Sequence, residues 1–451
     1  MPELPLNSKL KFDADIIVIG GGPAGSTAAS LLQDKGYHVI LLEKEQHPRF
    51  HIGESLLPLT LDIFERLGIH EAIKKMAIVK LGAEFYADRK EDNNKRSNVD
   101  NNKPVHTFYF KQAFNKDFPY AYQVRRSEFD HLLLKNSKEK GVTVFENTKV
   151  IKVNFDSKYN LEVIAKTKKG KKYHYRTRFL IDASGRDTFL SRQLHLKTKN
   201  HRHRSAAMFA HFENVPHPSG KETKDAGNIS IYWFDCGWIW MIPLTKNITS
   251  IGVVSTPAHL KTRKTPLDDF FLETLKGSKI AWRRLETAKK ITQCQATGNY
   301  SYVSKQTHGE GYMLIGDAFA FIDPVFSSGV HIAMTSAVMA TDVVDACLQN
   351  SHKTKQVFKE YDQRINQAIK RFSWLIYRFN TPVMRKLFMK PGNIFQLEDA
   401  IISLLAGDAF DRSIKLESRL FLFKMIYYLH VIFTKKNNTK RFLKEEHKAS
   451  V

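Results

Sequence analysis

Cysteine is scarce in this chain of 451 residues, which contains only three, at positions 236, 294 and 347. No two of them form a C-x-x-C pair, so the sequence supports neither a disulfide framework nor a thiolate metal site. We expect no metal, and a reducing cytoplasm is the location that this composition favours. The region around Asp13 and Asp15 lacks the apolar segment and cleavage site of a signal peptide, so export is not predicted.

Long apolar runs and acidic residues are also in short supply. The longest apolar stretch, residues 420–433, is interrupted by Lys424 and His430 and is too short to span a bilayer, although it could lie on one. Membrane contact is not predicted from it. The 70 Lys and Arg outnumber the 46 Asp and Glu, which gives a formal net charge of +24. Such a surface attracts acidic partners, nucleic acid and anionic lipid alike, so the charge alone does not identify the partner.

The apolar pattern predicts an α/β chain that begins with a βαβ unit. Residues 15–20 are typical of a buried parallel strand, residues 23–36 predict a helix, and residues 37–43 predict a second strand. The nucleotide-binding pattern resumes at residues 311–315, and helical spacing follows from residue 330. Further strands are predicted at residues 142–145, 149–155, 161–165, 179–183, 206–212, 228–233, 238–242 and 250–255.

A glycine motif joins the first strand to the first helix. Gly20, Gly22 and Gly25 supply the spacing G-x-G-x-x-G, in which absent side chains let backbone N–H groups and the helix N-terminus meet a pyrophosphate. Glu43 ends the second strand, where a carboxylate can accept hydrogen bonds from ribose hydroxyls. A tight structural turn is the alternative interpretation. The flanking strand, helix and carboxylate together favour a bound dinucleotide.

Two later segments resemble those of FAD-dependent enzymes of the p-hydroxybenzoate-hydroxylase type. Residues 181–186, IDASGR, resemble that family's D-A-[ST]-G-R segment and contain Asp182. Gly316 and Asp317 begin a G-D-A segment, whose aspartate in the family contacts the ribityl and pyrophosphate region. The family pattern in residues 123–130 places Arg126 beside the flavin. The resemblance implies that FAD is the cofactor.

Other motifs resemble the flavin-dependent halogenases, in the branch without tryptophan-specific insertions. Trp238 and Trp240 belong to the segment W-x-W-x-I-P, although a plain strand of alternating core aromatics would look the same. Residues 321–329, FIDPVFSSG, match F-x-x-P-x-x-S-x-G, in which the amides of Ser328 and Gly329 would hold the halide. Lys80 lies in VKLGA, which resembles the segment bearing the family's essential lysine. A solvated surface lysine is the alternative.

One position departs from the tryptophan-specific members of that family. Phe326 occupies the place where they carry a catalytic glutamate, so free tryptophan is not the expected substrate. An aromatic residue there resembles the branch that halogenates electron-rich pyrroles and phenols, which are often thioesters on an acyl- or peptidyl-carrier protein. The expected substrate is therefore an aromatic small molecule, either free or tethered to a carrier. Nucleic acid is not an expected partner, because the basic run at residues 197–204 looks like a solvated or docking face.

The resemblance implies a definite architecture. We expect a Rossmann-like FAD-binding domain of the p-hydroxybenzoate-hydroxylase type, interleaved with a β-sheet substrate domain and followed by a helical C-terminal region. The FAD-binding domain is predicted at residues 1–87, 120–195 and 300–345. The substrate domain is predicted at residues 88–119 and 196–299, with a mobile, Asn-rich insertion at residues 88–103, and the helical region at residues 346–451.

The resemblance also implies a reaction. Reduced FAD, dioxygen and chloride or bromide would yield hypohalous acid, which Lys80 would relay to the aromatic ring either as an ammonium or as a neutral amine. Trp238 and Trp240 would separate flavin from substrate. No second glycine fingerprint follows Gly25, so a separate flavin reductase is expected to supply reduced FAD. The alternatives are an aromatic hydroxylase or a geranylgeranyl-reductase-like flavoenzyme of the same fold, or a basic binding module that retains FAD only structurally.

Overall fold

The structure is a computed structural model, which describes residues 12–87, 105–157, 160–200, 205–218, 220, 223–245, 247–298 and 301–449. Their contacts divide the chain into two compact units. The first unit contains Met1–Ala77, Val124–Arg204 and Asn299–Ile369, and the second contains Ile78–Gln123, Ser205–Gly298 and Lys370–Val451. The Asn-rich segment predicted at residues 88–103 lies outside the described residues.

The first unit is built on a sheet with a parallel centre. Ala14–Ile19 pairs in parallel with both Val39–Leu42 and Lys172–Asp182, and Tyr312–Leu314 continues the parallel set beside Lys172–Asp182. Val, Ile and Leu dominate Ala14–Ile19 and Val39–Leu42, as expected for central parallel strands with both faces buried. The remaining strands of the first unit are Thr143–Phe145, Thr148–Ser157, Asn160–Thr167, Lys197–Lys199, Tyr302–Ser304, His308–Gly309 and Ala320–Phe321.

Helices cover this sheet. Pro23–Asp34 follows the first strand directly, with Pro23 at the first helical position, where the missing N–H costs nothing. Among the described residues, Ser328–Leu348 is the one helix long and apolar enough to cross a membrane, but its apolar window is 67% buried, as in the core helix of a folded domain. The other α-helices of the first unit are Thr60–Leu67, His70–Met76, Arg126–Glu139, Phe189–Gln193 and most of Thr354–Ile376.

The second unit contains a mixed sheet of eight strands. Its central strands, Ile229–Phe234, Gly237–Pro243 and Ile248–Ser255, form an antiparallel meander. Gly82–Ala87 adds to it in parallel beside Ile229–Phe234. The other strands of this sheet are Val105–Tyr109, Ala206–Glu213, Lys289–Lys290 and Gln295–Gly298, and a separate two-stranded ribbon pairs Ile78–Lys80 with Ala121–Gln123.

Helices pack on the sheet of the second unit. Leu267–Lys276 carries Phe270 and Phe271 into a core with Met208 and Tyr232. Aromatic rings from the C-terminal part of the unit pack on Phe85, including Phe388 at 5.2 Å between ring centroids. The other helices are Pro257–Lys261, Lys279–Arg283, Pro382–Met389, Leu397–Ala406 and Ile414–Ala449.

The observed units differ from the predicted domains in several places. Residues 120–123 were predicted in the FAD-binding domain but lie in the second unit, where Ala121–Gln123 pairs with Ile78–Lys80. Residues 196–200 were predicted in the substrate domain but lie in the first unit, where Lys197–Lys199 pairs with Tyr302–Ser304.

Residues 78–87, which the sequence analysis assigned to the FAD-binding domain, lie in the second unit because Gly82–Ala87 pairs there with Ile229–Phe234. The predicted helical region at residues 346–451 is not a separate unit. Its residues are divided at Ile369 between the first and second units.

Candidate functional site

The glycine turn of the first unit leaves room for a ligand at one position and none at the others. A Cβ on Gly25 would lie 1.9 Å from the carbonyl oxygen of Gly20, and a Cβ on Gly20 would lie 2.5 Å from that of Ala183. These two glycines are therefore required by close backbone packing. A Cβ on Gly22 would meet only Nη2 of Arg49 within 4 Å, at 3.7 Å. The space in front of Gly22 is thus open to a bound molecule.

Glu43 fixes the shape of this turn. Its Oε2 accepts a hydrogen bond from the N–H of Gly21 at 2.6 Å, and its Oε1 accepts one from the N–H of Glu45 at 2.9 Å. Each carboxylate oxygen can accept a second hydrogen bond, so ribose hydroxyls can still bind there. Glu43 therefore orders the turn and can also contact a nucleotide.

An open cavity of about 810 Å³ lies beside the glycine turn. Gly22 and Glu43 line it, together with the segment 183–187. Its walls also carry the cations Lys44, Arg49, Arg186 and Arg192. Backbone N–H groups and guanidinium groups suit a diphosphate, and the volume suits a large cofactor. The residues present therefore fit FAD.

Arg126 connects the start of its helix to a neighbouring loop. Its guanidinium donates to both carboxylate oxygens of Asp130, at 2.7 and 3.0 Å, and to the carbonyl oxygens of Ile52 and Gly53. Burial raises the pKa of Asp130, but the charge and hydrogen bonds of Arg126 outweigh this and hold that pKa below its ordinary value. Asp130, four residues after Arg126, was not singled out from the sequence, although that spacing on one helix face was a usable signal.

The two predicted aspartates have different surroundings. Asp182 is fully buried, and its carboxylate accepts backbone N–H bonds from Ser184 and Leu190 at 2.9 and 2.8 Å. It therefore shapes the turn that follows its strand. Asp317 is different, because burial raises its pKa to about 6, an effect that the charges of Arg186 and Arg126 partly offset.

Gly316 allows close packing beside Asp317. Gly316 has a φ of +55°, and a Cβ there would lie 3.0 Å from Cβ of Ala333. Its N–H donates to Oγ of Ser336 at 2.9 Å, which ties the segment to the helix Ser328–Leu348. The glycine at this position therefore lets the G-D-A segment pack against that helix.

The segment predicted to hold halide is a turn that runs directly into a helix. Pro324–Phe326 forms a short 3₁₀ turn, Ser327 has a φ of +56°, and the helix Ser328–Leu348 follows. The N–H groups of Ser328 and Gly329 occupy the first two helical positions, which have no acceptor within the helix. A Cβ on Gly329 would meet nothing within 4 Å. The turn therefore has the geometry of a small anion site, and Phe326, which ends the 3₁₀ turn, is buried.

Lys80 lies in the second unit, on the strand Ile78–Lys80. It is 1% exposed, and its Nζ lies 5.1 Å from the centroid of the Phe110 ring. Burial lowers the pKa of Lys80 to about 7. The interpretation of Lys80 as a solvated surface lysine is therefore wrong. Near neutral pH this amine is present in both its charged and its neutral form.

Residues that were not singled out from the sequence hold the backbone around Lys80. Oδ1 of the buried Asn228 accepts hydrogen bonds from the N–H groups of Leu81 and Gly82, at 3.0 and 2.8 Å. A Cβ on Gly227 would lie 1.9 Å from the carbonyl oxygen of Val79. No spacing pattern relates positions 227 and 228 to position 80, so only the folded chain reveals this support.

The two motif tryptophans lie on one face of the strand Gly237–Pro243. Both are buried, and their ring centroids are 5.7 Å apart. Nε1 of Trp240 donates to Oγ of Ser250 at 3.3 Å, and Trp238 meets Phe379 edge to face. Gly252 lies opposite Trp240, where a Cβ would be 2.1 Å from the indole ring. The tryptophans thus form a close-packed aromatic wall in the second unit.

Comparison with known proteins identifies the family. The family described as FAD binding domain matches residues 13–372. The chain is 32% identical to the 1H-pyrrole-2-carbonyl-[peptidyl-carrier protein] chlorinase of Pseudomonas fluorescens, over 88% of this chain and 90% of that protein. The chain belongs to the flavin-dependent halogenases. The Tryptophan 2-halogenase of Chondromyces crocatus is 33% identical over 75% of this chain and 62% of its own length. The myxobacterial chondrochloren halogenase has a similar structure, with a TM-score of 0.74 and 30% identity over 91% of this chain and 96% of its own.

These relatives confirm the family, the α/β FAD-binding fold and the FAD cofactor that the sequence predicts. The halogenase is an FAD-dependent oxidoreductase, with halide and dioxygen as co-substrates. The relatives do not favour the hydroxylase or the reductase-like alternative. The roles of the individual site residues stay predictions.

Because Lys80 is buried, its charge should destabilise the folded halogenase. The pKa is about 7 in the folded chain and about 10.4 when unfolded, so between these values the unfolded state binds more protons and stability rises with pH. We expect Lys80→Met to raise the free energy of unfolding at pH 7 by about 2–4 kcal/mol, with a gain that shrinks toward pH 10. Urea titrations of both proteins at pH 7 and pH 10 measure this. An equal gain at both pH values would contradict a lowered pKa.

Asn228→Ala should release the backbone that positions Lys80. Loss of two hydrogen bonds lets the lysine shift, and if Lys80 has its predicted role, a small misplacement lowers the rate by roughly 10- to 100-fold. We expect slower halogenation with FAD affinity unchanged, measured by product formation and by flavin titration. Asn115→Ala is the control, because it removes an asparagine acceptor from a turn of the same unit. Equal rates for both variants would show that Asn228 does not position Lys80.

Proposed function

We propose that this halogenase transfers the halogen to its aromatic substrate through Lys80. The observation that carries the proposal is a lysine of lowered pKa buried against an aromatic ring. When bound, reduced FAD supplies the electrons with which dioxygen oxidises halide to hypohalous acid. Ser328 and Gly329 would hold the halide through their N–H groups. Arg126, Glu43 and the glycine turn would bind and orient the cofactor.

Lys80 would then receive the hypohalous acid at Nζ. A neutral amine exchanges an N–H proton for the halogen and releases water, and the ring afterwards takes the halogen and returns a proton to the nitrogen. An ammonium would instead donate a hydrogen bond to the hypohalous oxygen while the ring attacks the halogen, and the hydroxide that leaves combines with the proton lost by the ring to form water. A pKa of about 7 makes both forms accessible. Trp238 and Trp240 would keep the organic substrate away from the cofactor.

The sign of the pH dependence distinguishes these two forms. A halogenation rate that rises with pH through pH 7 indicates that the neutral amine transfers the halogen. A rate that falls indicates that the ammonium does so. The measurement is product formation under saturating halide from pH 6 to pH 9, with dioxygen consumption recorded in parallel. If product and dioxygen consumption follow the same profile, the titrating group acts before Lys80, which contradicts this role for the lysine.

We further propose that the substrate is an electron-rich phenol or pyrrole bound as a thioester to an acidic acyl- or peptidyl-carrier protein. Three observations support this: Phe326 replaces the glutamate of the tryptophan-specific members, the net charge is +24, and the name of the Pseudomonas fluorescens relative specifies a carrier-bound pyrrole. Opposite charge accelerates docking and is screened by salt over about 10 Å at 0.1 M. A separate flavin reductase would supply reduced FAD.

The test compares one aromatic acid in free and carrier-bound form, at low and high salt. We expect faster halogenation of the carrier-bound form, with an advantage that decreases as salt is raised. Equal rates for both forms, with no effect of salt, would assign a free substrate. Lys80 would keep its proposed role in that case, because the lysine variant tests it separately.

A further inference from the structure

The C-terminal helix Ile414–Ala449 has a second apolar face that the halogenase reaction does not use. One face packs into the unit through Leu416, Leu420, Phe423 and Tyr427, which are buried. The other face carries six large apolar side chains that are 44% to 65% exposed. These six, called here the outer patch, are Phe421, Met425, Tyr428, Leu429, Ile432 and Phe433.

The helix geometry separates the two sets. With about 3.6 residues per turn, the buried residues share one side, and the outer patch lies on roughly the opposite side. The patch extends over little more than three turns. At its edge the hydroxyl of Tyr428 accepts a hydrogen bond from Nη2 of Arg378 at 2.8 Å. Exposed apolar surface of this extent marks an interaction site.

Positive charge accompanies the outer patch. Residues 414–451 contain nine Lys and Arg against three Glu, a net charge of +6. Six of the cations follow the patch in residues 435–448. A helix with exposed Phe, Tyr, Leu and Ile next to Lys and Arg has the composition of helices that lie in the interface of an anionic membrane.

The same features argue against two other interpretations of the patch, a contact between two copies of the chain and a transmembrane span. A symmetric contact with a second copy would bring together two helices of charge +6. The helix cannot span a bilayer through the patch, because the run 420–433 is shorter than the roughly 20 residues required and contains Lys424 and His430.

We propose that the outer patch docks the halogenase on a membrane surface that contains anionic phospholipid. The patch residues enter the boundary between headgroups and acyl chains, and the net positive charge of the segment attracts the anionic headgroups. The helix lies in the plane of the membrane, with its buried face still packed on the protein. This proposal does not depend on the mechanism at Lys80, and neither fails if the other does.

Flotation of the full chain with vesicles tests the proposal. We expect the protein to float with vesicles of phosphatidylcholine and phosphatidylglycerol, and to bind roughly tenfold more weakly to phosphatidylcholine alone or at high salt. The double variant Ile432→Ser with Phe433→Ser should lose binding by at least about tenfold, because two large apolar side chains no longer enter the lipid. Its halogenation of a free aromatic substrate should be unchanged.

A matched control separates this helix from exposed apolar surface in general. Ile394 and Phe395 are 70% and 72% exposed on a different segment of the same unit. The variant Ile394→Ser with Phe395→Ser should float like the original chain. Equal loss in both double variants, or no flotation of the original chain, would overturn the proposal. A third outcome would also overturn the proposal. If Ile432→Ser with Phe433→Ser still floats with vesicles but no longer forms a dimer or binds an acidic carrier protein, the patch is the contact surface for that partner.

Discussion

Replacing Lys80 by methionine is expected to lower the rate of halogenation by about 10²- to 10⁴-fold while FAD binding and dioxygen consumption continue. Methionine fills a similar volume but has no amine to receive or hydrogen-bond hypohalous acid. The residues proposed to hold FAD belong to the first unit and Lys80 to the second, so we expect FAD binding to continue in the variant. Product by mass spectrometry, dioxygen by electrode and released hypohalous acid by a chemical trap measure the three effects separately.

Lys111→Met is the matched control for this prediction. Lys111 is an exposed lysine of the same unit, next to Phe110, so its removal changes charge without emptying the buried position. We expect it to halogenate at close to the original rate. If Lys80→Met also retains that rate, the buried lysine has no part in halogen transfer, whatever its pKa.

Gly22→Val is expected to weaken FAD binding by at least about 100-fold in a protein that still folds. Gly22 has a φ of −76°, which any residue adopts, and its Cβ would point into open space. The valine side chain would therefore occupy the cavity where backbone groups approach the diphosphate, without a clash inside the protein. Flavin absorbance after purification and fluorescence titration with FAD measure the loss.

Gly298→Val controls for the general cost of replacing a glycine. A Cβ at position 298 would meet only Cβ of Ala206, at an ordinary 3.6 Å, and the position lies in the second unit. This variant should bind FAD like the original chain. Full flavin occupancy of the Gly22→Val protein would show that the glycine turn does not bind the cofactor.

Local pattern was sufficient to predict the first strand–helix–strand unit and the main strands, whereas helices such as Arg126–Glu139 and Leu267–Lys276 were not predicted. The strand predicted at residues 15–20 is observed as Ala14–Ile19, and the helix predicted at residues 23–36 is Pro23–Asp34. These elements carry their own signals, because apolar runs, glycine and Pro23 act over a few residues. The assignment of residues 78–87 failed because it depended on pairing with a strand about 150 residues further along the chain.

The site was predictable only in part, for the same reason. The motifs indicated Lys80, but its burial and lowered pKa come from the folded second unit. Asn228 and Gly227 support the lysine through backbone contacts that no spacing in the sequence reveals. The cofactor contact predicted for Asp182 stays a prediction, and only the structure shows that its carboxylate also orders a turn.

The most direct test of halogen transfer through Lys80 is the mass spectrum of the products formed by the original chain and by Lys80→Met with a flavin reductase, FAD and dioxygen. The substrates are a panel of phenols and pyrroles, each offered with chloride, with bromide and without halide. We predict a monohalogenated product with the isotope pattern of the added halide, formed by the original chain only and absent without halide. A hydroxylated product that is independent of halide, or equal halogenation by both proteins, would contradict it.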